Sequence, residues 1–200
     1  MATVDALVEA ATYILSQRGG AGFTANRIAE RAGVNIASFY QYFPNKEALL
    51  FLIAQRTWDR QLARLAPLLS HAGPDKATSF RDFIREFFMI EASEAGLRRA
   101  LRVASVDLRQ TEQFQALMGS GDALTRRFLI EAVQEVPMKD LDFVVRFIVL
   151  LTTSFAERTT DEGTTGAELI RQADLITEML VEKFRIGAAR RETDELMSAP

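Results

Sequence analysis

Apolar side chains recur at helical spacing along almost the whole chain. In the first segment they lie three, four, seven and eight residues apart, on one face of a helix, at Leu7, Ala10, Ala11, Ile14 and Leu15. A glycine-rich segment at residues 19–22 ends this helix, because glycine readily adopts the positive φ of a helix C-cap. Thr24 and Asn35 are then suitable N-caps for two short helices, the second of which ends near Tyr42.

The remaining pattern predicts longer helices. One begins at Lys46 and runs to about Leu69, and others follow at about residues 77–94, 96–108, 111–136, 139–160 and 166–186. We expect a loop at residues 70–75, a break at Pro137 and a kink at residues 119–121. Since no alternating strand pattern with hairpin turns occurs, we predict an all-α fold. The polar segment 187–200 is expected to be disordered.

The composition narrows the range of functions. Of the 200 residues 48% are hydrophobic and 26% charged, as is typical of a folded globular protein. The chain has no cysteine and a single histidine, His71, which we expect to lie in an exposed loop. Cysteine-based metal sites and thiol catalysis are therefore excluded, and a Ser-His-Asp triad would have to use that histidine. We expect no metal, no cofactor and no catalytic residue, with an all-α enzyme as the less favoured alternative.

The sequence indicates a cytoplasmic location and no membrane partner. The N-terminal segment has neither the basic start nor the continuous apolar core of a signal peptide. The longest apolar run, residues 143–151, is interrupted by Arg146 and is shorter than the roughly 18 residues that a membrane helix needs.

Residues 24–46 show the spacing of a helix-turn-helix unit. Ala29 places a small side chain where the second helix must cross closely, and Gly33 follows where the backbone needs a positive φ. The apolar positions expected to hold the two helices together are Ile28, Ala32, Val34, Phe39 and Tyr42. An ordinary pair of core helices joined by glycine would need each of these coincidences separately, so we favour the helix-turn-helix.

This segment resembles the N-terminal domain of TetR-type transcriptional regulators. The resemblance rests on Thr24-x-x-Arg27-Ile28-Ala29-x-x-Ala32-Gly33-Val34 and on Phe39-Tyr40-x-Tyr42-Phe43-x-Asn45-Lys46-Glu47-x-Leu49. It implies a homodimeric repressor that leaves a palindromic operator, a double-stranded DNA site, when a small molecule binds the C-terminal part. The expected domains are then 1–46 for DNA binding and 47–186 for effector binding and dimerisation, and the long helix after Lys46 would couple the two.

The expected DNA contacts lie on and around the second short helix. Its N-terminal residues would enter the major groove, while hydroxyls, helix N-termini and cations contact phosphates. The candidate DNA-binding residues are Thr24, Arg27, Asn35, Ile36, Ala37, Ser38, Tyr40, Gln41, Tyr42 and Lys46. For the two tyrosines this role is implied by the resemblance, and Asn35 is a candidate for capping as well as for DNA contact. The recognition helix carries no Arg or Lys, so the bidentate Arg–guanine contact is not available from it.

The charge balance of the N-terminal segment differs from that of the whole chain. The whole chain has a net charge of −3, which argues against a nucleic-acid partner. Within residues 1–50, however, Arg18, Arg27, Arg31 and Lys46 offset Asp5, Glu9, Glu30 and Glu47. A neutral DNA-binding unit predicts few phosphate contacts and a shallow salt dependence. It also leaves open the alternative that these helices bind a protein instead of DNA.

Aromatic and methionine side chains on the later helices predict an apolar effector pocket. The candidate lining residues are Trp58, Phe83, Phe87, Phe88, Arg102, Phe114, Met118 and Phe128. Arg102, Asp107 and Arg109 are candidate polar anchors, although a solvated helix face explains them equally well. The alternative for the aromatic residues is that they form only a core.

The last two helices carry apolar stripes that suit a four-helix dimer interface. The candidate interface residues are Phe143, Phe147, Leu151, Leu169, Ala173, Ile176, Leu180 and Phe184. The alternative is that these stripes pack within one chain.

Overall fold

The computed structural model describes residues 2–70, 75–133 and 136–187, and within these ranges it contains helices and no strand. The all-α prediction is therefore confirmed. The helices are α1 (Ala2–Gly22), α2 (Ala25–Arg31), α3 (Ile36–Tyr42), α4 (Lys46–Ser70), α5 (Lys76–Ser93), α6 (Ala95–Ala104), α7 (Glu112–Ala132), α8 (Met138–Asp161) and α9 (Gly166–Phe184), with a 3-10 turn at Leu108–Gln110. His71 and residues 188–200, for which we predicted a loop and a disordered tail, lie outside the described residues.

The glycine-rich segment interrupts α1 where the sequence indicates. Gly19 has φ 63° and ψ −164°, a conformation that glycine adopts without steric cost. The chain then makes one more helical turn, which ends at Gly22. That extra turn carries Gly20 past α6, where an added Cβ would lie 3.8 Å from the Ala104 Cβ.

Two predictions about α7 are wrong. The helix runs through Gly119 and Gly121 as one continuous element instead of kinking there. It also ends at Ala132 instead of near residue 136. The Gly187 N–H donates a hydrogen bond to the Ala132 carbonyl at 2.9 Å, so the chain that follows α9 satisfies the last turn of α7. A partner so distant in sequence leaves no local signal.

The buried apolar side chains form two clusters. The first joins α1–α4 to α6 and to the start of α7, with Leu15, Phe39 and Leu49 fully buried at its centre. The second joins α5, α7, α8 and α9 around Phe80, Ile148 and Leu169. Since the first cluster reaches α6, the N-terminal helices share their core with the part of the chain beyond residue 46.

No helix in the described ranges combines the length and the apolarity that crossing a membrane requires.

Candidate functional site

Side-chain and backbone caps fix the geometry of α2 and α3. Thr24 Oγ1 accepts a hydrogen bond from the Arg27 N–H at 3.4 Å, and Asn35 Oδ1 accepts one from the Ala37 N–H at 2.8 Å. Gly33 has φ 69°, which lets the Val34 N–H reach back to the Ala29 carbonyl at 3.0 Å. Of the two roles weighed for Asn35, capping is therefore the one that the structure shows.

The core of the helix-turn-helix differs from the prediction at one residue. Ile28, Ala29 and Phe39 are buried as expected, but Tyr42 is 47% exposed. Phe43 fills the place expected for Tyr42, with its ring centroid 5.8 Å from that of Phe39. The reason is local: α3 ends at Tyr42, and the extended backbone of Phe43 (φ −130°, ψ 117°) turns its side chain towards the core.

The ten candidate DNA-binding residues all reach solvent in the structure. Ile36 and Ser38 are half-buried and the other eight are exposed. Lys46 lies 3.8 Å from Glu47, while Arg27 forms no ion pair with any residue that the structure describes. These side chains therefore sit where a DNA backbone and groove could approach, and their contact with DNA stays a prediction.

One cation of the N-terminal unit is used internally. The guanidinium of Arg31 lies 3.3 Å from the centroid of the Tyr13 ring, a cation–π contact that joins α2 to α1. Arg56 of α4 binds Asp5 of α1 at 3.1 Å. The sequence pattern does not reveal either contact, because each depends on how α1 packs against its neighbours.

A cavity of about 640 Å³ lies among α4, α5, α6, α7 and α8. Five of the candidate pocket residues line it, namely Trp58, Phe87, Arg102, Phe114 and Met118. Phe83 lines an adjoining cavity of about 80 Å³, which shares Trp58 and Phe87 with the larger one. A volume of several hundred Å³ suits a small organic ligand.

Phe88 and Phe128 do not line either of these cavities, which corrects the prediction for both. Phe88 is fully buried, and its ring lies 6.1 Å from that of Phe155 in α8. Phe128 stacks on Phe80 at 6.3 Å. Helix α5 has two apolar faces, so Phe83 and Phe87 turn to the cavities while Phe80 and Phe88 turn to the core.

Trp58 is held against α7 by a close approach. Its Nε1–H donates to Ser120 Oγ at 3.3 Å. A Cβ added at Gly121 would lie 2.7 Å from Trp58 Cζ2, so only glycine leaves room for the ring there. We expected a kink at Gly121, whereas in the structure the absence of a side chain there lets the indole of Trp58 pack against α7.

A buried polar cluster forms one wall of the larger cavity. Arg98 is 9% exposed, and its Nη1 donates to Gln61 Oε1 at 2.6 Å and to Glu91 Oε1 at 2.7 Å. Its Nη2 donates to Glu94 Oε2 at 3.1 Å. Burial raises the pKa of the Glu91 carboxyl, and the nearby charges of Arg98 and Arg102 oppose that shift without cancelling it. Sequence analysis missed this cluster, because nothing in the local pattern separates buried Arg98 from its exposed neighbour Arg99.

Two further arginines of the same region line the cavity. Arg102 binds Asp161 with both oxygens at 2.8 Å and lies 3.7 Å from Glu91. Arg109 is exposed and donates to the Arg102 carbonyl at 3.0 Å. Both residues were candidate polar anchors, and the structure places both at the cavity. Asp107, the third candidate anchor, is not among its lining residues.

The candidate dimer residues divide into two groups. Phe143, Phe147 and Leu151 of α8 are exposed, and Phe184 of α9 is half-buried with its ring 6.2 Å from that of Phe147. The α9 stripe is instead buried in the second cluster of its own chain, at Leu169, Ala173, Ile176 and Leu180. The structure therefore corrects the prediction for these four, which pack within one chain. The large exposed apolar residues of α9 are Leu175 and Met179.

The geometry defines an all-helical protein in which a helix-turn-helix unit is joined to a helical domain with a partly open cavity between its helices. Residues 7–53 match the family described as bacterial regulatory proteins, tetR family. The similarity to this family therefore lies in the N-terminal helix-turn-helix unit, at residues 7–53 of the 200.

Individual proteins show the same similarity. The chain is 30% identical over 100 residues to the HTH-type transcriptional regulator EthR of Mycobacterium tuberculosis, a match that covers 50% of this chain and 46% of EthR. The matched segment thus spans less than half the length of this relative.

The fold is similar to solved structures over nearly its full length. The fatty acid degradation regulator FadR of Bacillus halodurans superposes with a TM-score of 0.72 at 19% identity, over 92% of this chain and 97% of FadR. The FadR structure from Bacillus subtilis, in complex with stearoyl-CoA, gives a TM-score of 0.71 at 18% identity, over 88% of this chain and 97% of that one.

Proposed function

We propose that the protein is a cytoplasmic transcriptional regulator that binds operator DNA through α2 and α3. The observation that carries this proposal is the capped helix-turn-helix, whose ten candidate side chains all reach solvent. The side-chain oxygen of Asn35 accepts the cap hydrogen bond. Base contacts are therefore made by Ala37, Ser38 and Gln41, with half-buried Ile36 at the groove edge. Phosphate contacts fall to Thr24, Arg27, Tyr40, Tyr42 and Lys46.

A homodimer on a palindromic operator is the second part of the proposal. The exposed phenylalanines of α8 support it, since Phe143 is 72% and Phe147 42% exposed and their rings stack at 6.2 Å. Large aromatic side chains in such an exposed pair are better stabilised when a second copy covers them. A dimer also binds paired half-sites with an increased effective concentration.

The third part is release from the operator by a small, largely apolar effector in the cavity. Trp58, Phe87, Phe114 and Met118 provide the apolar wall. The FadR structure from Bacillus subtilis, which has a similar fold, is in complex with stearoyl-CoA, a ligand that carries a long apolar chain.

Two helices are suited to couple the cavity to the DNA-binding unit. Helix α4 starts beside the recognition helix at Lys46 and carries Trp58 and Gln61 to the cavity. Helix α6 supplies cavity arginines and packs on α1, where Gly20 faces Ala104. An effector that binds differently in two arrangements of these helices shifts the balance between them.

Binding-site selection from random duplexes, followed by mobility shifts on the selected sequence, tests the proposal. Tyr40→Ala and Lys46→Ala are expected to weaken the specific shift roughly tenfold, because each removes a phosphate contact. Lys139→Ala, an exposed lysine at the start of α8, serves as the matched control and should leave the shift unchanged. If no sequence is enriched, the DNA-binding function is refuted and the alternative of a protein-binding module is favoured.

A further inference from the structure

Arg98 contains a buried hydrogen-bond donor that no described residue satisfies. Its Nη atoms bind Gln61, Glu91 and Glu94, but its Nε has no partner among the residues that the structure describes. The residue lines the larger cavity and is 9% exposed, so bulk water reaches it poorly. A donor in this position is costly to leave unsatisfied, and an acceptor in the cavity would remove that cost.

Arg109 adds a positive charge at the same cavity. Among the described residues it donates one hydrogen bond, to the Arg102 carbonyl, and it forms no ion pair. Arg102, by contrast, is bound to Asp161 and lies near Glu91 and Glu157. Among the three cavity arginines, Arg98 thus has a free donor and Arg109 a free charge.

The carboxylates at the cavity do not favour a cationic ligand. Glu91 and Glu157 both lie beside Arg102, and Glu91 also binds Arg98. Asp122 lacks an ion pair within the described ranges and, like Arg109, is exposed and hydrated, so these two charges offset each other and the buried Arg98 Nε decides the sign of the ligand. The polar group of this wall that lacks a partner is a hydrogen-bond donor, so the site needs an acceptor and not a cation.

We propose that the cavity binds an amphipathic molecule whose anionic head group, a carboxylate or a phosphate, accepts hydrogen bonds from Arg98 Nε and Arg109. Its apolar body lies against Trp58, Phe87 and Met118. This inference rests on the proposed effector site and specifies the chemistry of the ligand. Charge-assisted hydrogen bonds to a guanidinium are stronger than neutral ones, so the head group determines which apolar molecules are selected.

A head-group series at constant chain length tests the sign of the ligand. Dodecanoate, dodecyl phosphate, dodecanol and dodecylamine are titrated into the full chain below their aggregation limits. Trp58 is the one tryptophan of the sequence and lines the cavity, so its emission reports binding directly. We expect at least one of the two anions to bind roughly tenfold more tightly than the alcohol and the amine. Comparison of the two anions distinguishes a carboxylate from a phosphate ligand. Equal or tighter binding of dodecylamine overturns the proposal.

Matched variants test the two arginines. Arg109→Gln removes a charge that holds no ion pair with a described residue, and Arg98→Lys keeps the buried charge while removing the Nε–H group. Each variant is expected to bind the anion roughly tenfold more weakly and to bind dodecanol as the parent does. Arg99→Gln is the control, because Arg99 is the exposed neighbour of Arg98 and is not a lining residue. Asp122→Asn removes a negative charge that repels the anion, so the anion should bind more tightly.

The outcomes separate this inference from the proposed function. If Arg109→Gln and Arg98→Lys both bind dodecanoate and dodecyl phosphate as Arg99→Gln does, the anion site is refuted, whatever the DNA experiment shows. If the anion binds as described but no DNA sequence is selected, the anion site stands and the regulatory function fails. Thermal melting of each variant shows whether it is folded, and Arg109→Gln remains decisive if Arg98→Lys does not fold.

Discussion

The close packing of Trp58 on Gly121 gives a sharp test of how α4 and α7 form the cavity wall. Two glycines lie on α7 at this point, and they differ in what an added methyl group would meet. A Cβ at Gly119 has no heavy atom within 4 Å, whereas a Cβ at Gly121 lies 2.7 Å from Trp58 Cζ2. Gly119→Ala and Gly121→Ala therefore make the same chemical change in the same helix with opposite steric consequences.

The expected magnitudes follow from this difference. Alanine in place of a helical glycine stabilises a helix by about 0.5–1 kcal/mol, which is the whole effect expected for Gly119→Ala. For Gly121→Ala the same gain is offset by overpacking of about 1–3 kcal/mol. The displaced indole also loses its hydrogen bond to Ser120, which contributes about 1 kcal/mol. Gly119→Ala is thus stabilised, while Gly121→Ala is destabilised by roughly 1–3 kcal/mol.

Urea unfolding followed by circular dichroism measures both free energies of unfolding. The emission of the single tryptophan, Trp58, independently reports whether the indole has moved. We expect the emission maximum of the folded protein to shift in Gly121→Ala and to stay unchanged in Gly119→Ala. Equal stabilisation of the two variants, with native emission in both, would refute the packing of Trp58 against α7.

Four further predictions concern the other parts of the molecule. Asn35→Ala removes the N-cap of α3 and should lower the free energy of unfolding by about 1 kcal/mol in urea titrations, whereas Asn35→Asp should retain most of it. Burial raises the pKa of the Glu91 carboxyl, so its protonated form stabilises the fold below the ordinary value of 4.5, and this stabilisation is lost as the pH rises through the folded value. Glu91→Gln should therefore gain stability relative to the parent as the pH rises above 4.5, and a pH-independent difference would contradict this. Phe143→Glu should convert a dimer to monomers in sedimentation velocity, while Met138→Glu, which points about 140° away on the same helix, should not. The salt dependence of operator binding should have a log–log slope well short of about −10 in a filter-binding series, because the DNA-binding unit is neutral; a slope near that value would show phosphate contacts that we have not identified.

The helix-turn-helix unit could be predicted from the sequence because its determinants are local. Gly33 is needed where φ is positive, and Thr24 and Asn35 are needed where helices begin. Each of these requirements involves residues within a few positions of one another, so a short segment carries all the information. The one misplaced side chain, Tyr42, lies at the end of α3, where a change of backbone conformation by one residue exchanges it with Phe43.

The lining of the cavity and the exposed face of α9 depend on contacts between distant segments, so they were predicted less well from the sequence. Periodicity shows that a helix has an apolar face but not what covers that face. The regular stripe of α9 from Leu169 to Leu180 packs on its own chain, and the aromatic residues of α5 divide between cavity and core. Burial of Arg98 is harder still to foresee, because its partners Gln61 and Glu91 come from two other helices. The residue on which the ligand proposal depends most is therefore one whose environment exists only after α4, α5 and α6 have packed together.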